Sequence, residues 1–278
     1  MVTKPFTPAF RRTVDLLTRL HLVPLVEAAI RDCRFPEVFE VTFRNYQADR
    51  PPDGWFHPST HPTMDERQLY YYLAEPDRWI REPFEYGSRM AVMMGTATHD
   101  LMAAALTEIG VLSPPKGTCV ACGRPHGRDA GQCGEWGVID PVLRRRGHLD
   151  GLLTLPTWGE GIYDLKTCSP MVIKGIQDHD LAAFKARWPG YYGQQQEYMA
   201  LSGKRQALVL FLGLSQGWPM KEFTIPRDEE YIVALEAKYR AVRNYVDAGQ
   251  VPPVACCPGG ARARRCPATA CPIKRGTP

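Results

Sequence analysis

The sequence predicts an α/β fold, and two observations carry that expectation. Four short apolar runs, at 147–155, 160–167, 207–214 and 220–225, are bounded by turn residues and read as strands. Three longer segments, at 96–109, 191–201 and 228–248, read as helices. The 278 residues, 44% of them hydrophobic, suffice for one large domain or a core domain with decorated ends.

Taken in order, residues 7–32 predict helix from Leu16, Leu17, Leu20, Leu22 and Val23, with a break at Pro24. Residues 33–62 are rich in Pro, Asp and aromatics and read as irregular. Residues 66–80 mix aromatic and polar side chains and fit helix and strand equally. Gly95 precedes the helix at 96–109, where Leu101, Met102, Ala105 and Leu106 form an apolar face that Gly110 ends. Glycines and prolines fill a cysteine-bearing insert at 113–141. The first two strands are joined by Pro156-Thr157-Trp158-Gly159-Glu160-Gly161, and the last two by Ser215-Gln216-Gly217-Trp218. In the last helix Ile232, Leu235, Tyr239, Val242 and Val246 recur at helical spacing. Past Val251 the composition collapses into Pro, Gly, Cys and Arg. The expected organisation is an N-terminal helical and irregular region (1–90) packing on a core (91–250) that includes the insert, then a cysteine- and arginine-rich segment (251–278).

No apolar run is long enough to span a bilayer, and the N-terminus lacks the basic start and apolar core of a secretory signal. A cytoplasmic protein with no membrane role is therefore expected. The nine cysteines then read as thiols or metal ligands rather than a disulfide framework. A net charge of +4 says little about partners, so local basic groups matter more.

The chemistry-bearing residues concentrate around the first strand pair. Gly147-His148-Leu149-Asp150 ends in a carboxylate, and Asp164-Leu165-Lys166-Thr167 supplies another with an amine two positions on. Strand period places Asp164 and Lys166 on one face. Two adjacent strands would bring Asp150 and Asp164 together as hard oxygen ligands for Mg2+ or Mn2+. Such an ion polarises a phosphoryl oxygen and lowers the pKa of bound water, which suits phosphodiester hydrolysis. Lys166 could orient the water or offset charge on the phosphate, and would act as a base only with a depressed pKa. His99 could ligate the same metal from its helix. Gln194 and Tyr198, four apart, share a helical face and could bind a phosphate or hold Lys166 and the acids in place.

Cys119-x2-Cys122-x3-His126-x6-Cys133 has ligand types and spacing for a tetrahedral zinc site. A zinc ion, free thiols in a loop, and ligation shared with cysteines elsewhere all fit this spacing. Basic residues at Arg144, Arg145 and Arg146, at Lys174, Lys185 and Arg187, and at Arg262, Arg264, Arg265 and Lys274 could track phosphates without reading bases. Trp188, Tyr191 and Tyr192 could stack on unpaired bases or belong to the core.

In their order and separations, Gly95-Thr96-Ala97-Thr98-His99, Gly147 to Asp150, Asp164 to Thr167, and Gln194-Gln195-Gln196-Glu197-Tyr198 resemble the PD-(D/E)xK nuclease superfamily in its RecB-like exonuclease branch, over roughly residues 90–225. That branch includes CRISPR-adaptation and phage recombination exonucleases. The resemblance implies a restriction-endonuclease-like core with a central mixed β-sheet flanked by helices. It implies that His99, Asp150, Asp164 and the Leu165 carbonyl bind the catalytic metal, that Lys166 is the catalytic lysine, and that Gln194 and Tyr198 form the accessory motif. It also implies an iron–sulfur (4Fe–4S) cluster, for which Cys33, Cys257, Cys266 and Cys271 would supply thiolates. Here Cys256 and Cys257 are adjacent where relatives have a spaced pair, and no cysteine stands near Ser59 or within 70–79, so a second zinc or an unliganded tail remain alternatives.

The function expected is a metal-dependent DNA exonuclease in recombination, repair or end processing, in a bacterium or phage-infected host. It would cut without sequence specificity, alongside a helicase, recombinase or single-strand annealing partner. A structure-selective or nicking endonuclease, and a non-catalytic DNA-end-binding protein, are the alternatives.

Overall fold

The computed structural model describes residues 20–32, 34, 52–80, 86–127, 131–156, 158–215, 217–253 and 266–272. Its elements run α1 (Val23–Arg31), α2 (Glu66–Ala74), a 3-10 turn (Pro76–Arg78), α3 (Tyr86–Glu108), β1 (Leu112–Ser113), β2 (Trp136–Asp140), β3 (Arg145–Leu149), β4 (Gly151–Leu155), β5 (Gly159–Cys168), α4 (Pro170–Ile173), α5 (Leu181–Arg187), α6 (Pro189–Ser202), β6 (Gln206–Gly213), β7 (Met220–Pro226) and α7 (Glu229–Asp247). Five strands form a mixed sheet in the order β1-β4-β5-β6-β7, parallel only between β5 and β6. Strands β2 and β3 form a separate antiparallel ribbon.

Apolar side chains on both faces of β5 and β6 explain why helices cover the sheet on two sides. On one face Tyr163, Leu165, Leu208 and Leu210 pack with Leu25 of α1 and with Met102 and Leu106 of α3. On the other, Ile162, Val209 and Phe211 pack with Phe184 of α5 and with Tyr192 and Met199 of α6. The alternation expected for the strands therefore holds, and it sends Asp164 and Lys166 to the α6 face along with Ile162.

Several local expectations change. Leu16 and Leu17 lie outside the described residues; Pro24 sits in the first turn of α1, where its missing N–H removes no helical hydrogen bond. The amides of Leu22 and Val23 donate to Glu222 Oε2 at 2.7 and 2.8 Å, and that of His21 donates to Glu222 Oε1. Fully buried Glu222 on β7 is thus an anionic cap for this helix end. The ambiguous residues after Glu66 are helical because Asp65 and Gln68 form a reciprocal capping box. Helix α3 begins ten residues before the expected start and runs through Gly95. There a Cβ would lie 2.8 Å from Thr167 Oγ1, so the glycine allows helix and β5 to approach closely. The single strand expected at 147–155 is two strands, broken at Asp150. Gly151 beyond the break accommodates Leu112, whose Cδ1 would be 2.4 Å from an added Cβ.

Candidate active site

The strand break places Asp150 between the ribbon and the main sheet. Its Oδ2 accepts a hydrogen bond from the Leu165 amide at 2.8 Å and lies 3.2 Å from His99 Nδ1. Asp164 is almost fully buried, and its Oδ1 accepts from Lys166 Nζ at 3.0 Å. Its Oδ2 lies 2.8 Å from the same ammonium. Nζ also sits 4.7 Å above the Tyr191 ring. The structure thus joins four sequence-derived candidates: His99 with Asp150, and Asp164 with Lys166, linked through Leu165.

The charges are set by these contacts. Burial raises the Asp164 carboxyl, the neighbouring Lys166 ammonium lowers it, and on balance it titrates above the ordinary carboxylate range. Burial also opposes ionisation of Asp150, but His99 outweighs it and holds that carboxyl low. Burial lowers His99, Asp150 raises it, and the imidazole ends above 6.5. Lys166 is disfavoured by burial but raised on balance by Asp164 and Asp150. It is therefore a fixed ammonium rather than the depressed-pKa amine a general base requires. A buried pair of mutually coupled carboxyl groups fits a hard divalent cation, which takes oxygen donors and relieves their repulsion.

A cleft of about 440 Å³ opens beside Asp150, its wall including Gly95, His99, Glu135, Tyr163 and Thr167. Asp164 and Lys166 are not on that wall; they adjoin it through Asp150, whose charge couples to both. Glu135 and Tyr163 were not read as site residues. Strand period sends Tyr163 to the face opposite Asp164, and nothing local marks Glu135. The Tyr163 hydroxyl is buried without a hydrogen-bond partner.

Gln194 and Tyr198 do share a face, with Gln194 Nε2 donating to Tyr198 Oη at 3.4 Å. Tyr198 in turn donates to the backbone carbonyl of His148 at 2.6 Å, two residues before Asp150. Both side chains are buried, and Tyr198 braces β3 through this bond. Of the glutamine run, Gln196 donates to the Pro226 carbonyl, and Gln195 is buried with neither amide atom hydrogen-bonded.

The phosphate-tracking set is narrower than its sequence. Arg145 is buried (4% exposed) between Asp140 and Glu236, so it is structural. Arg146 pairs with Asp53 at 2.7 Å and lies over Trp55. Trp188 stacks on Phe211 in the core and Tyr192 is buried against Asp228, which leaves Tyr191 as the exposed member of that aromatic trio. Arg144, Lys174, Lys185 and Arg187 are exposed. Arg262, Arg264, Arg265 and Lys274 lie outside the described residues.

Cys119, Cys122 and Cys133 converge as expected, but the fourth group is His148, not His126. His126 Nδ1 is engaged 3.0 Å from the Cys133 carbonyl oxygen, and its backbone bridges to Cys133. The β2–β3 ribbon brings His148 in from the far side of the insert. Of the iron–sulfur candidates, Cys33 and Cys257 lie outside the described residues. Cys271 is buried near the tyrosines of α2, and Cys266 packs against the same cluster.

Fold and site together define a mixed α/β protein with an acid–acid–lysine cluster at a strand break. No protein-family model matches the chain, and no curated protein does. Among solved structures it is similar to an alkaline exonuclease from Laribacter hongkongensis, at 19% identity over 71% of this chain and 90% of that one, with a TM-score of 0.46. The same enzyme in complex with dAMP gives 18% identity over 70% and 89%, with a TM-score of 0.44. A phage-related exonuclease from Haemophilus somnus gives 15% identity over 88% of each chain, with a TM-score of 0.30. Among the described residues no helix is long and apolar enough to cross a membrane.

Proposed function

We propose that this chain is a PD-(D/E)xK nuclease of the RecB-like exonuclease branch, hydrolysing DNA phosphodiesters with Mg2+ or Mn2+. The single observation that carries the reading is the gathering of His99, Asp150, Asp164 and Lys166 at the end of β3 and the middle of β5. His99, Asp150, Asp164 and the Leu165 carbonyl would hold the cation. When bound, it would supply Lewis-acid polarisation of a phosphoryl oxygen and a lowered pKa for water.

The chain's own groups do the rest. Lys166, held as an ammonium by its carboxylate neighbours, offsets negative charge building on the phosphate. Tyr191 beneath it flanks the ammonium with an apolar ring, exposed enough to meet a base. Tyr198 and the Leu165 amide fix the main chain and carboxylate of the strand break, so Asp150 is oriented before substrate arrives. With no base-reading element among the described residues, contacts to the phosphate backbone would give binding without sequence preference.

The test uses the purified chain on labelled linear single-stranded and duplex DNA with alternative ends protected, and on covalently closed circles. Cleavage of linear DNA should need Mg2+ or Mn2+, stop with chelator, and disappear in Asp150→Ala, Asp164→Ala and Lys166→Ala. Cleavage retained by these folded variants, or indifferent to chelator, refutes the assignment. Cutting of closed circles would replace exonuclease with endonuclease action at the same site.

A further inference from the structure

We propose that Cys119, Cys122, Cys133 and His148 bind one structural zinc ion that clamps the β2–β3 ribbon at its approach to Asp150. The four ligand atoms lie within 4.8 Å of one another, and Cys119 Sγ is 3.4 Å from His148 Nε2. A tetrahedral ion with Zn–S bonds of about 2.3 Å holds its sulfurs about 3.8 Å apart, so the cluster needs only a small contraction to close. All three cysteines are free thiols, and Cys119 and Cys133 are buried. Three thiolates and an imidazole select a soft or borderline ion over the hard cation of the acidic cleft.

The surrounding chain is shaped for this. The Gly123 amide donates to the Cys119 carbonyl at 2.8 Å, closing the turn that carries Cys119 and Cys122. Gly123 has φ +71°, a conformation that favours glycine. At Gly137 an added Cβ would come 2.5 Å from Cys119 Sγ, so β2 leaves room for that sulfur. Arg124 Nε donates to Cys122 Sγ at 3.5 Å, a contact that would stabilise a thiolate. Apart from the three cysteines, the knuckle's buried apolar cluster contains only Ala121. A bound ion would therefore contribute much of the knuckle's stability.

His148 links this site to the rest of the molecule. Its side chain joins the thiols, its carbonyl accepts the Tyr198 hydrogen bond, and Asp150 follows two residues later. The ion would thus fix one end of the segment whose other end is Asp150. The proposal does not depend on the nuclease assignment.

The full-length chain, purified in excess Mg2+ so that hard sites hold magnesium, should carry zinc by elemental analysis. X-ray absorption at the zinc edge should show three sulfurs at about 2.3 Å and one nitrogen at about 2.0–2.1 Å. His126→Ala should leave that shell unchanged. His148→Ala should weaken zinc binding by more than about 100-fold, the upper end of what outer partners cost. His148→Cys should keep the ion and convert its shell to four sulfurs, and Co2+ substitution should show the added thiolate charge-transfer intensity. A native chain without zinc, an iron-loaded knuckle, a native four-sulfur shell, or a nitrogen ligand that persists in His148→Cys overturns the proposal. Since none of these readouts is turnover, failure here leaves the acidic site untouched, and loss of the nuclease reading leaves the zinc site standing.

Discussion

Gly95→Ala tests the close approach of helix α3 to strand β5 at the site. An alanine Cβ would lie 2.8 Å from Thr167 Oγ1, against an ordinary contact of about 3.5 Å, so helix and strand would have to separate by about 0.7 Å. Thr167 pairs with Leu212 inside the sheet and is stiff at χ1, which leaves α3 to move. Overpacking of this kind costs about 1–3 kcal/mol, while replacing a helical glycine returns about 0.5–1 kcal/mol. The net expectation is destabilisation of up to about 2 kcal/mol. His99 lies one turn on from Gly95 on the same face, and a site of this kind tolerates displacements of about 0.5 Å, so the Mg2+ concentration for half-maximal cleavage should rise as well. Thr167→Ala removes the obstructing oxygen. In urea denaturation of the four proteins of the cycle, the double variant should recover about 1–2 kcal/mol relative to additivity. If Gly95→Ala alone is as stable as the parent, with coupling below about 0.5 kcal/mol, the close approach is not there.

Other expectations concern buried charge. His99 is held above 6.5 by Asp150, so their ion pair stabilises the fold fully below pH 6.5 and is lost as pH rises through the folded value. In chelator the denaturation midpoint should fall across that window for the parent and stay flat for His99→Asn; in Mg2+ cleavage should rise across it, and an acid optimum would contradict the ligand role. Glu197, buried beside Tyr239, is pushed up to about 7 from 4.5, so its neutral form favours folding at low pH and that contribution fades as pH climbs between those values. Glu197→Gln should abolish that stretch of the stability profile, and an unchanged profile would assign it to another group. Glu222→Ala would orphan three amides at the start of α1, costing about 3–5 kcal/mol in denaturation. A loss under about 1 kcal/mol would mean that water replaces the carboxylate.

The strand carrying Asp164 and Lys166 was legible, with the two that follow it, because β5, β6 and β7 each keep an apolar pattern that burial on a sheet demands. Helix α7 was legible from its apolar spacing for the same reason. The break at Asp150 was hidden because one apolar run continues through two sheets. Its flanking Gly147 and Gly151 mark close contacts with Tyr198 and Leu112 that only the assembled fold reveals. Gly95 was read as a boundary from its propensity, but tertiary approach outweighed propensity. His126 fits the ligand spacing within the loop, which a sequence shows, whereas His148 arrives by pairing across a ribbon, which a sequence does not show. Arg145 reads as one of three surface arginines until Asp140 and Glu236 are seen to enclose it.

The buried glutamate on the last strand also bears on how the chain is made. Its bond to the Leu22 amide spans 200 residues, so at about 5–20 residues per second an N-terminal helix would wait about 10–40 s on the ribosome for its anion. Until then that helix end is an unlatched, sticky surface, and docking of β7 is the event that secures it. Slowed elongation across the second half of the chain should therefore raise aggregation more than slowing across the first.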